Sequence, residues 1–384
     1  MKHAEISPDF VGRSFEPTPR PGVRSVNAYV GGRRSLPTQG SFYKLSSNEN
    51  ALGASPLAVE AARRAAEELH LYPDGGSTAL REAIGASYGI DPLRIICGTG
   101  SNELLQLCGQ AFLTAGDVGI HTQYGFLVLR SAILSTDAEA VVAPEPGLRV
   151  DVDEVLSRIG PRTRVVFVAN PGNPSGSHIS AGDLERLVAS VPGSVLTVID
   201  EAYAEYVTAD DFVSALAVAG PRENVVVTRT FSKIYGLANL RLGWCYAPAA
   251  ICDALNRIRN PFNVSGVASA AAIAALADKE HTARSLLHAA SWREKLAAEL
   301  SGIGIVTHPS QTNFLLLEFP DEPGRDAASA NEFLLENGLI LRPVSGYGLT
   351  RHLRLTIGTD EANQHLVATL KRFAAGGAAG KADA

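Results

Sequence analysis

Cysteine is scarce in this sequence, and its spacing fits neither a metal site nor a redox motif. The four cysteines, at positions 97, 108, 245 and 252, show no CxxC pattern. Isolated cysteines of this kind are typical of free thiols in a reducing compartment. We therefore predict a cytoplasmic protein, and we assign no metal to its functional site.

Long hydrophobic runs are absent as well. The longest tract of small apolar residues, VSGVASAAAIAALAD from Val264, is shorter than the roughly 20 residues that a membrane-spanning helix needs. Its composition is typical of an Ala-rich packed helix instead. The N terminus, MKHAEISPDF, has no apolar run behind Lys2, so we predict no signal peptide. Both observations argue against a membrane as partner.

The sequence has no excess of basic charge. It contains 34 Lys and Arg against 40 Asp and Glu, which gives a formal net charge of -6. Because nucleic-acid binding favours a basic surface, this balance argues against nucleic acid as the partner.

A dinucleotide-binding fold loses support too, since the glycine turn CGTGSNE has Glu103 where the G-x-G-x-x-G fingerprint requires glycine.

The pattern of helices and strands predicts an α/β protein with two domains. Residues 1–44, rich in Pro and Gly, are predicted to form an N-terminal arm. Over 45–275, short Val- and Ile-rich strands alternate with helices, which predicts a large domain with a doubly wound, mostly parallel sheet. Residues 276–384 are predicted to form a smaller α+β domain, ending in a low-complexity, disordered tail at 375–384.

Polar or glycine-rich segments follow four of the predicted strands. These segments are residues 98–102, 170–176, 200–203 and 230–233. In an open parallel sheet, ligands bind beyond the carboxyl ends of the strands. The four segments are therefore expected to meet around one ligand.

Each segment carries a specific chemistry, with a structural alternative beside it. The turn CGTGSNE is either an anion-binding helix start or a plain capped helix. Asn173, in NPGNPSG, is either part of a rigid turn or a donor to a ligand oxygen. Asp200 ends an apolar strand, so it needs an arginine or a protonated ring nitrogen as partner. Lys233 can form a Schiff base with an aldehyde. An anion site, an acid and a lysine together describe pyridoxal phosphate.

Seven motifs in order resemble one known family over nearly the whole chain, from about Val23 to Leu370. The motifs are SSNENALG, YPDGG, GTGSNE, NPGNPSG, DEAYAEY, TFSKIYGLANLRLG and LRLTIGT. They are similar to those of fold-type I, class I and II pyridoxal-phosphate aminotransferases. Within that family, YPDGGSTALREAI and RPVSGYGL are most similar to histidinol-phosphate aminotransferases.

The resemblance implies a role for each matching residue around the cofactor ring. Lys233 would bind the cofactor covalently and then move the substrate proton, while Asp200 would pair with the ring nitrogen. Tyr203 would assist at the ring hydroxyl together with Asn173, which would also face the substrate. Tyr124, in TQYGF, would stack on the ring.

Further roles concern the cofactor phosphate, the substrate and a second subunit. The residues implied at the phosphate are Ser101, Asn102, Thr230, Ser232 and Arg241. Tyr72 would reach the phosphate of the neighbouring subunit, which implies a homodimer with shared sites. Arg354, assisted by Arg342, would bind the anionic end of the substrate, and Tyr29 would contact substrate from the partner's arm.

The resemblance implies the transamination of L-histidinol phosphate with 2-oxoglutarate, a step of histidine biosynthesis that yields imidazole-acetol phosphate and L-glutamate. Alternatives stay open, because the arm reads YVGGRR where Tyr-x-Pro-Gly-Lys is usual. One alternative is an aromatic or broad-specificity aminotransferase. Another is a decarboxylase resembling threonine-phosphate decarboxylase. A third is a regulator that binds the cofactor without turnover, which would need an attached DNA-binding domain.

Overall fold

The structure is a computed structural model that describes residues 17–28, 31–33, 35 and 42–376. Its strands, in chain order, are β1 (Tyr43–Lys44), β2 (Ile95–Gly98), β3 (Val118–Thr122), β4 (Glu139–Ala143), β5 (Thr163–Ala169), β6 (Leu196–Asp200), β7 (Val225–Thr230), β8 (Gly243–Tyr246), β9 (Val306–Thr307), β10 (Phe314–Glu318), β11 (Leu339–Ile340), β12 (Arg342–Pro343) and β13 (His352–Thr356).

The α-helices of the described residues surround these strands. They are α1 (Pro21–Arg24), α2 (Pro56–Ala65), α3 (Thr78–Tyr88), α4 (Ser101–Phe112), α5 (Leu127–Leu134), α6 (Val152–Leu156), α7 (Ala181–Ser190), α8 (Ala215–Ala219), α9 (Ala249–Ile258), α10 (Gly266–Ala277), α11 (Lys279–Ser301), α12 (Ala327–Glu336) and α13 (Asp360–Ala374). Among the described residues, no helix combines the length and apolar character needed to cross a membrane.

A seven-stranded sheet forms the centre of the large domain, with strand order β2-β8-β7-β6-β5-β3-β4. The five strands from β7 to β4 pair in parallel, and β8 is antiparallel to both of its neighbours. Alternate residues of β5 pack into separate hydrophobic clusters, with Val166 and Val168 in one and Val165 and Phe167 in the other. The sheet is therefore covered on both faces, as the continuous apolar strands predict. The predicted fold class is confirmed.

A second, four-stranded sheet of order β12-β13-β10-β9 is antiparallel and lies in the C-terminal part of the chain. The short strand β1, from the segment before the large domain, pairs in parallel with β11 of the C-terminal part. This pairing fastens residues 43–44 to the smaller domain, beside the cavity described next. The proposed domain boundaries at 44 and 275 remain predictions.

Candidate active site

The carboxyl ends of β5, β6 and β7 converge on a cavity of about 230 Å³. Its walls include ten of the residues that the sequence singled out: Ser101, Asn102, Asn173, Asp200, Tyr203, Thr230, Ser232, Lys233, Arg241 and Arg354. The first nine lie at strand ends of the large sheet or in the segments that connect its strands, and the last lies on β13 of the small sheet. The expected meeting of the strand-end segments is therefore observed.

Asp200 is buried at the end of β6 and makes no ion pair within the described residues. The hydroxyl of Thr228, its cross-strand neighbour on β7, donates a hydrogen bond of 2.7 Å to Asp200 Oδ1. The nearby cation Arg229 pairs instead with Glu201 and Glu205, at 2.7 and 2.8 Å. Burial raises the pKa of Asp200 to about 6. Among the described residues, no arginine forms a salt bridge with Asp200. Its carboxylate therefore faces the cavity without a cationic partner.

Lys233 follows β7 in a tight turn, and its amine also faces the cavity. The ammonium Nζ donates to the Ser47 carbonyl at 3.2 Å and lies 5.6 Å from the centre of the Tyr203 ring. Burial, followed by the positive charge of Arg354, lowers the pKa of Lys233 to about 7. A large fraction of this amine is thus neutral near pH 7, which is the form that attacks an aldehyde or accepts a proton.

An anion cradle forms where α4 begins. Gly100 precedes the helix at φ 84°, and its N-cap position has no side-chain hydrogen bond to the helix amides. A Cβ at Gly100 would lie 2.7 Å from Arg241 Nη2, so a larger residue would displace the guanidinium from this helix start. Arg241 Nη1 lies 3.3 Å from the Ser232 hydroxyl. Helix amides, hydroxyls and a guanidinium together suit a phosphate.

A polar bridge closes the cavity between the two sheets. Arg354 Nη1 donates to the Asn173 side-chain oxygen at 2.6 Å, and Nη2 donates to the Ser46 carbonyl at 2.8 Å. Asn48 Nδ2 donates to the Tyr203 hydroxyl at 2.8 Å. Because all three hydrogen bonds join residues far apart in sequence, the bridge exists only when the two sheets are in place.

Four predicted site residues are not among those that line the cavity. Tyr124 is half-buried beside a small cluster that contains Leu316, and Phe126 lines the cavity instead. Arg342 lines a neighbouring cavity. Tyr72 is exposed and stacks on Phe262 at 4.8 Å between ring centres. Tyr29 lies outside the described residues. The roles of all four remain predictions.

One wall of the cavity is formed by residues to which the sequence analysis assigned no individual role. That wall comprises Ser46, Ser47, Asn48 and Glu49, all within the motif SSNENALG. Asn48 adopts φ 55°, a left-handed conformation that Asn tolerates better than most residues. The repeated Asn in this motif was the available signal, because Asn-rich turns before a helix tend to hold special backbone positions.

Comparison with known proteins agrees with this geometry. The family model for aminotransferase class I and II matches residues 41–370. The chain belongs to this aminotransferase family. The resemblance noted in the sequence is confirmed, as is the prediction of a transferase enzyme.

The aminotransferase has curated relatives that it matches over nearly their full length. It is 46% identical to the histidinol-phosphate aminotransferase of Rhodopseudomonas palustris strain HaA2, over 94% of this chain and 99% of that one. It is 45% identical to the protein of the same name from strain BisA53, with the same coverage.

Solved structures extend the comparison. The histidinol-phosphate aminotransferase of Sinorhizobium meliloti, in complex with pyridoxal-5'-phosphate, superposes with a TM-score of 0.85 at 27% identity. That match covers 94% of this chain and 99% of the other. An aspartate aminotransferase variant from Thermus thermophilus, at 21% identity and a TM-score of 0.79, shares the fold.

Proposed function

We propose that this aminotransferase transfers the amino group of L-histidinol phosphate to 2-oxoglutarate, using pyridoxal phosphate, as a step of histidine biosynthesis. The observation that carries the proposal is the meeting of Lys233, Asp200 and the Arg241 cradle around one cavity. The curated relatives at 45–46% identity, named for this activity, support the choice of substrate.

The residues present fit the cofactor at both of its charged ends. The buried carboxylate of Asp200 lacks an ionic partner among the described residues, and a protonated ring nitrogen would supply one. The cradle of Gly100, Ser101, Ser232 and Arg241 suits the phosphate. Asn173 and Tyr203 line the cavity between these ends and would hold the ring hydroxyl. When bound, pyridoxal phosphate supplies a ring that accepts electrons from the substrate Cα–H bond.

The chain supplies the covalent anchor and the proton carrier. Lys233, with a pKa lowered to about 7, has a neutral amine available to bind an aldehyde. Lys233 Nζ would also be the base that accepts the Cα proton of the substrate and later returns it. Asp200 would supply the negative charge that pairs with the ring nitrogen and favours its protonated, electron-accepting form. Burial of Asp200 excludes water that would weaken this pairing.

Arg354 is our candidate for the anionic end of the substrate. It is buried, it faces the cavity, and Asn173 and the Ser46 carbonyl orient its guanidinium. A planar fork held in this way suits a carboxylate or phosphate. Arg342 and Tyr29 are proposed to assist at the same end, and Tyr124 is proposed to stack on the ring.

One assay separates this function from its alternatives. The purified enzyme is mixed separately with histidinol phosphate, phenylalanine and tyrosine, each with 2-oxoglutarate, while glutamate formation and the cofactor spectrum are followed. We expect kcat/KM for histidinol phosphate to exceed the others by at least about 100-fold, because phenylalanine and tyrosine offer Arg354 only a singly charged carboxylate in place of the more highly charged phosphate. Equal rates with phenylalanine would favour a broad-specificity aminotransferase. Carbon dioxide release from the amino acids in parallel mixtures without 2-oxoglutarate would favour a decarboxylase.

We also propose a homodimer with shared sites, working in the cytoplasm. Tyr72 is 83% exposed, and its neighbours Leu69 and Leu71 are exposed as well. An apolar surface of this kind suits burial by a second subunit, where Tyr72 would reach the partner's phosphate site. All four cysteines are free and buried, as suits a reducing compartment.

A further inference from the structure

Two imidazoles and a carboxylate gather on the small sheet, outside the cofactor cavity. His308 follows β9, Glu318 ends β10, and His352 begins β13. Glu318 lies directly opposite His352 in the antiparallel pairing. The amide of His308 donates to the Leu316 carbonyl at 3.0 Å, which extends the β9–β10 ladder by one residue. Because alternate strand residues share a face, all three side chains project from the same face.

The separations within this histidine–glutamate cluster match those between metal ligands. Glu318 Oε2 lies 3.2 Å from His308 Nε2 and 3.8 Å from His352 Nε2. One ligand atom from each residue lies within 4.8 Å of the others. A tetrahedral ion with ligands at about 2.0–2.2 Å places neighbouring ligand atoms roughly 3.3–3.6 Å apart. Small side-chain rotations are enough to bring the three ligand atoms onto one ion.

Hydrogen bonding does not account for the approach of His308 to Glu318. His308 Nε2 is buried and makes no hydrogen bond to any described residue, although Oε2 is only 3.2 Å away. Burying a polar nitrogen without a partner is unfavourable. A cation between the two atoms would satisfy both of them.

Arg351 holds the Glu318 carboxylate in an orientation that leaves one oxygen available to a metal ion. Arg351 Nη2 binds the other oxygen, Glu318 Oε1, at 2.7 Å, and Arg351 Nε donates to the Phe319 carbonyl at 3.3 Å. Metal-binding carboxylates are commonly oriented by such an outer partner. The three ligand side chains are 11–25% exposed, so an ion can reach them from solvent.

We propose that His308, Glu318 and His352 form a binding site for a divalent transition-metal ion of the zinc class. Two imidazoles with one carboxylate favour zinc over calcium or magnesium, which prefer all-oxygen ligand sets. The fourth position is open to water. The ion joins β9, β10 and β13, so it stabilises the small sheet rather than taking part in amino transfer.

Cobalt(II) serves as the probe, because its visible bands report coordination geometry while it binds at zinc sites. Cofactor-loaded enzyme, treated with a chelator and dialysed, is titrated with cobalt and then with zinc as competitor. We expect one equivalent of cobalt, with bands typical of four- or five-coordinate geometry, displaced by one equivalent of zinc. In His308→Gln and His352→Gln we expect binding to weaken by at least about 10-fold.

Two further variants distinguish a metal site from general damage. Glu318→Gln keeps the shape and removes the charge, and we expect it to weaken cobalt binding as well. His365→Gln removes a half-buried histidine on α13 that contacts the Asn337 carbonyl at 3.0 Å and is not part of the cluster, and we expect wild-type binding. Thermal unfolding without metal verifies that each variant is folded. The proposal is overturned if the wild type binds no stoichiometric cobalt, or if His308→Gln and His352→Gln bind as tightly as His365→Gln.

Discussion

The hydroxyl of Thr228 provides the sharpest test of how Asp200 works. It donates the hydrogen bond to Asp200 Oδ1, and both residues are buried. Burial already raises the pKa of this carboxyl to about 6, and the Thr228 bond opposes that rise. In Thr228→Val the charged carboxylate loses its donor while the side-chain volume stays nearly the same. The carboxyl pKa then rises further, and the negative charge that would pair with the ring nitrogen becomes less favourable.

The expected magnitude follows from the strength of a buried, charge-assisted hydrogen bond. Such a bond contributes about 1.5–3 kcal/mol, which corresponds to roughly 10- to 150-fold in an equilibrium or rate constant. We therefore expect kcat of Thr228→Val to fall by at least about 10-fold, measured as glutamate formation at saturating cofactor and substrate. We also expect the acidic limb of the pH–kcat profile to move to higher pH.

Thr228→Ser is the matched control, because it keeps the hydroxyl and removes one methyl group. We expect it to retain kcat within about threefold, since removing one buried methyl costs on the order of 1 kcal/mol of stability without removing the bond. The reasoning would be refuted by near-normal turnover in the valine variant. It would equally be refuted if the serine variant lost as much activity as the valine variant.

Three other predictions concern the lysine, the phosphate cradle and the dimer. Because the pKa of Lys233 falls from 10.5 to about 7 on folding, its stabilising contribution is full above pH 10.5 and is lost as the pH falls to 7. Chemical unfolding of the cofactor-free proteins should therefore show Lys233→Met to be more stable than wild type at pH 7, with the difference closing by pH 10.5. Stability curves that run parallel across this pH range would contradict the prediction. Gly100→Ala forces a side chain into a region open almost only to glycine, so we expect it to lose about 1–3 kcal/mol of stability and to weaken cofactor binding in a fluorescence titration, whereas Gly266→Ala, with open space at its Cβ, should change neither. Mixing inactive Lys233→Ala with Tyr72→Phe should restore up to about one quarter of wild-type activity. After subunit exchange half of the dimers are mixed, and each mixed dimer holds one intact shared site. No restoration after subunit exchange would place Tyr72 outside the partner's site.

Local sequence signals predicted much of the large domain. Ser55 and Pro56 mark the start of α2, and the Ser55 hydroxyl accepts hydrogen bonds from the amides of Leu57 and Ala58. Apolar strands followed by polar turns placed Asp200 and Lys233 at neighbouring strand ends. These features were predictable because each depends on a few adjacent residues and on the general geometry of parallel sheets.

Contacts between distant segments were not predictable in this way. The pairing of β1 with β11 joins two-residue strands about 300 positions apart, and so short a strand carries no periodicity. The SSNENALG wall reaches Tyr203 and Arg354 only through tertiary packing. Tyr124 and Phe126 differ by two positions in one motif, and local pattern alone does not decide which ring faces the cavity.

The same burial moves the two central groups toward their neutral forms, and this explains why the cavity fits so specific a ligand. Water exclusion lowers the pKa of Lys233 and raises that of Asp200, although their opposite charges would favour ionising both. A neutral amine is what covalent binding to an aldehyde requires. A carboxyl group with a raised pKa becomes fully ionised only when a cation binds beside it. Arg241 and the start of α4 attract an anion at the other end of the cavity. A ligand with an aldehyde, a basic ring nitrogen and a phosphate therefore meets each of these conditions at once, and a ligand lacking any one of them leaves a buried group without its partner.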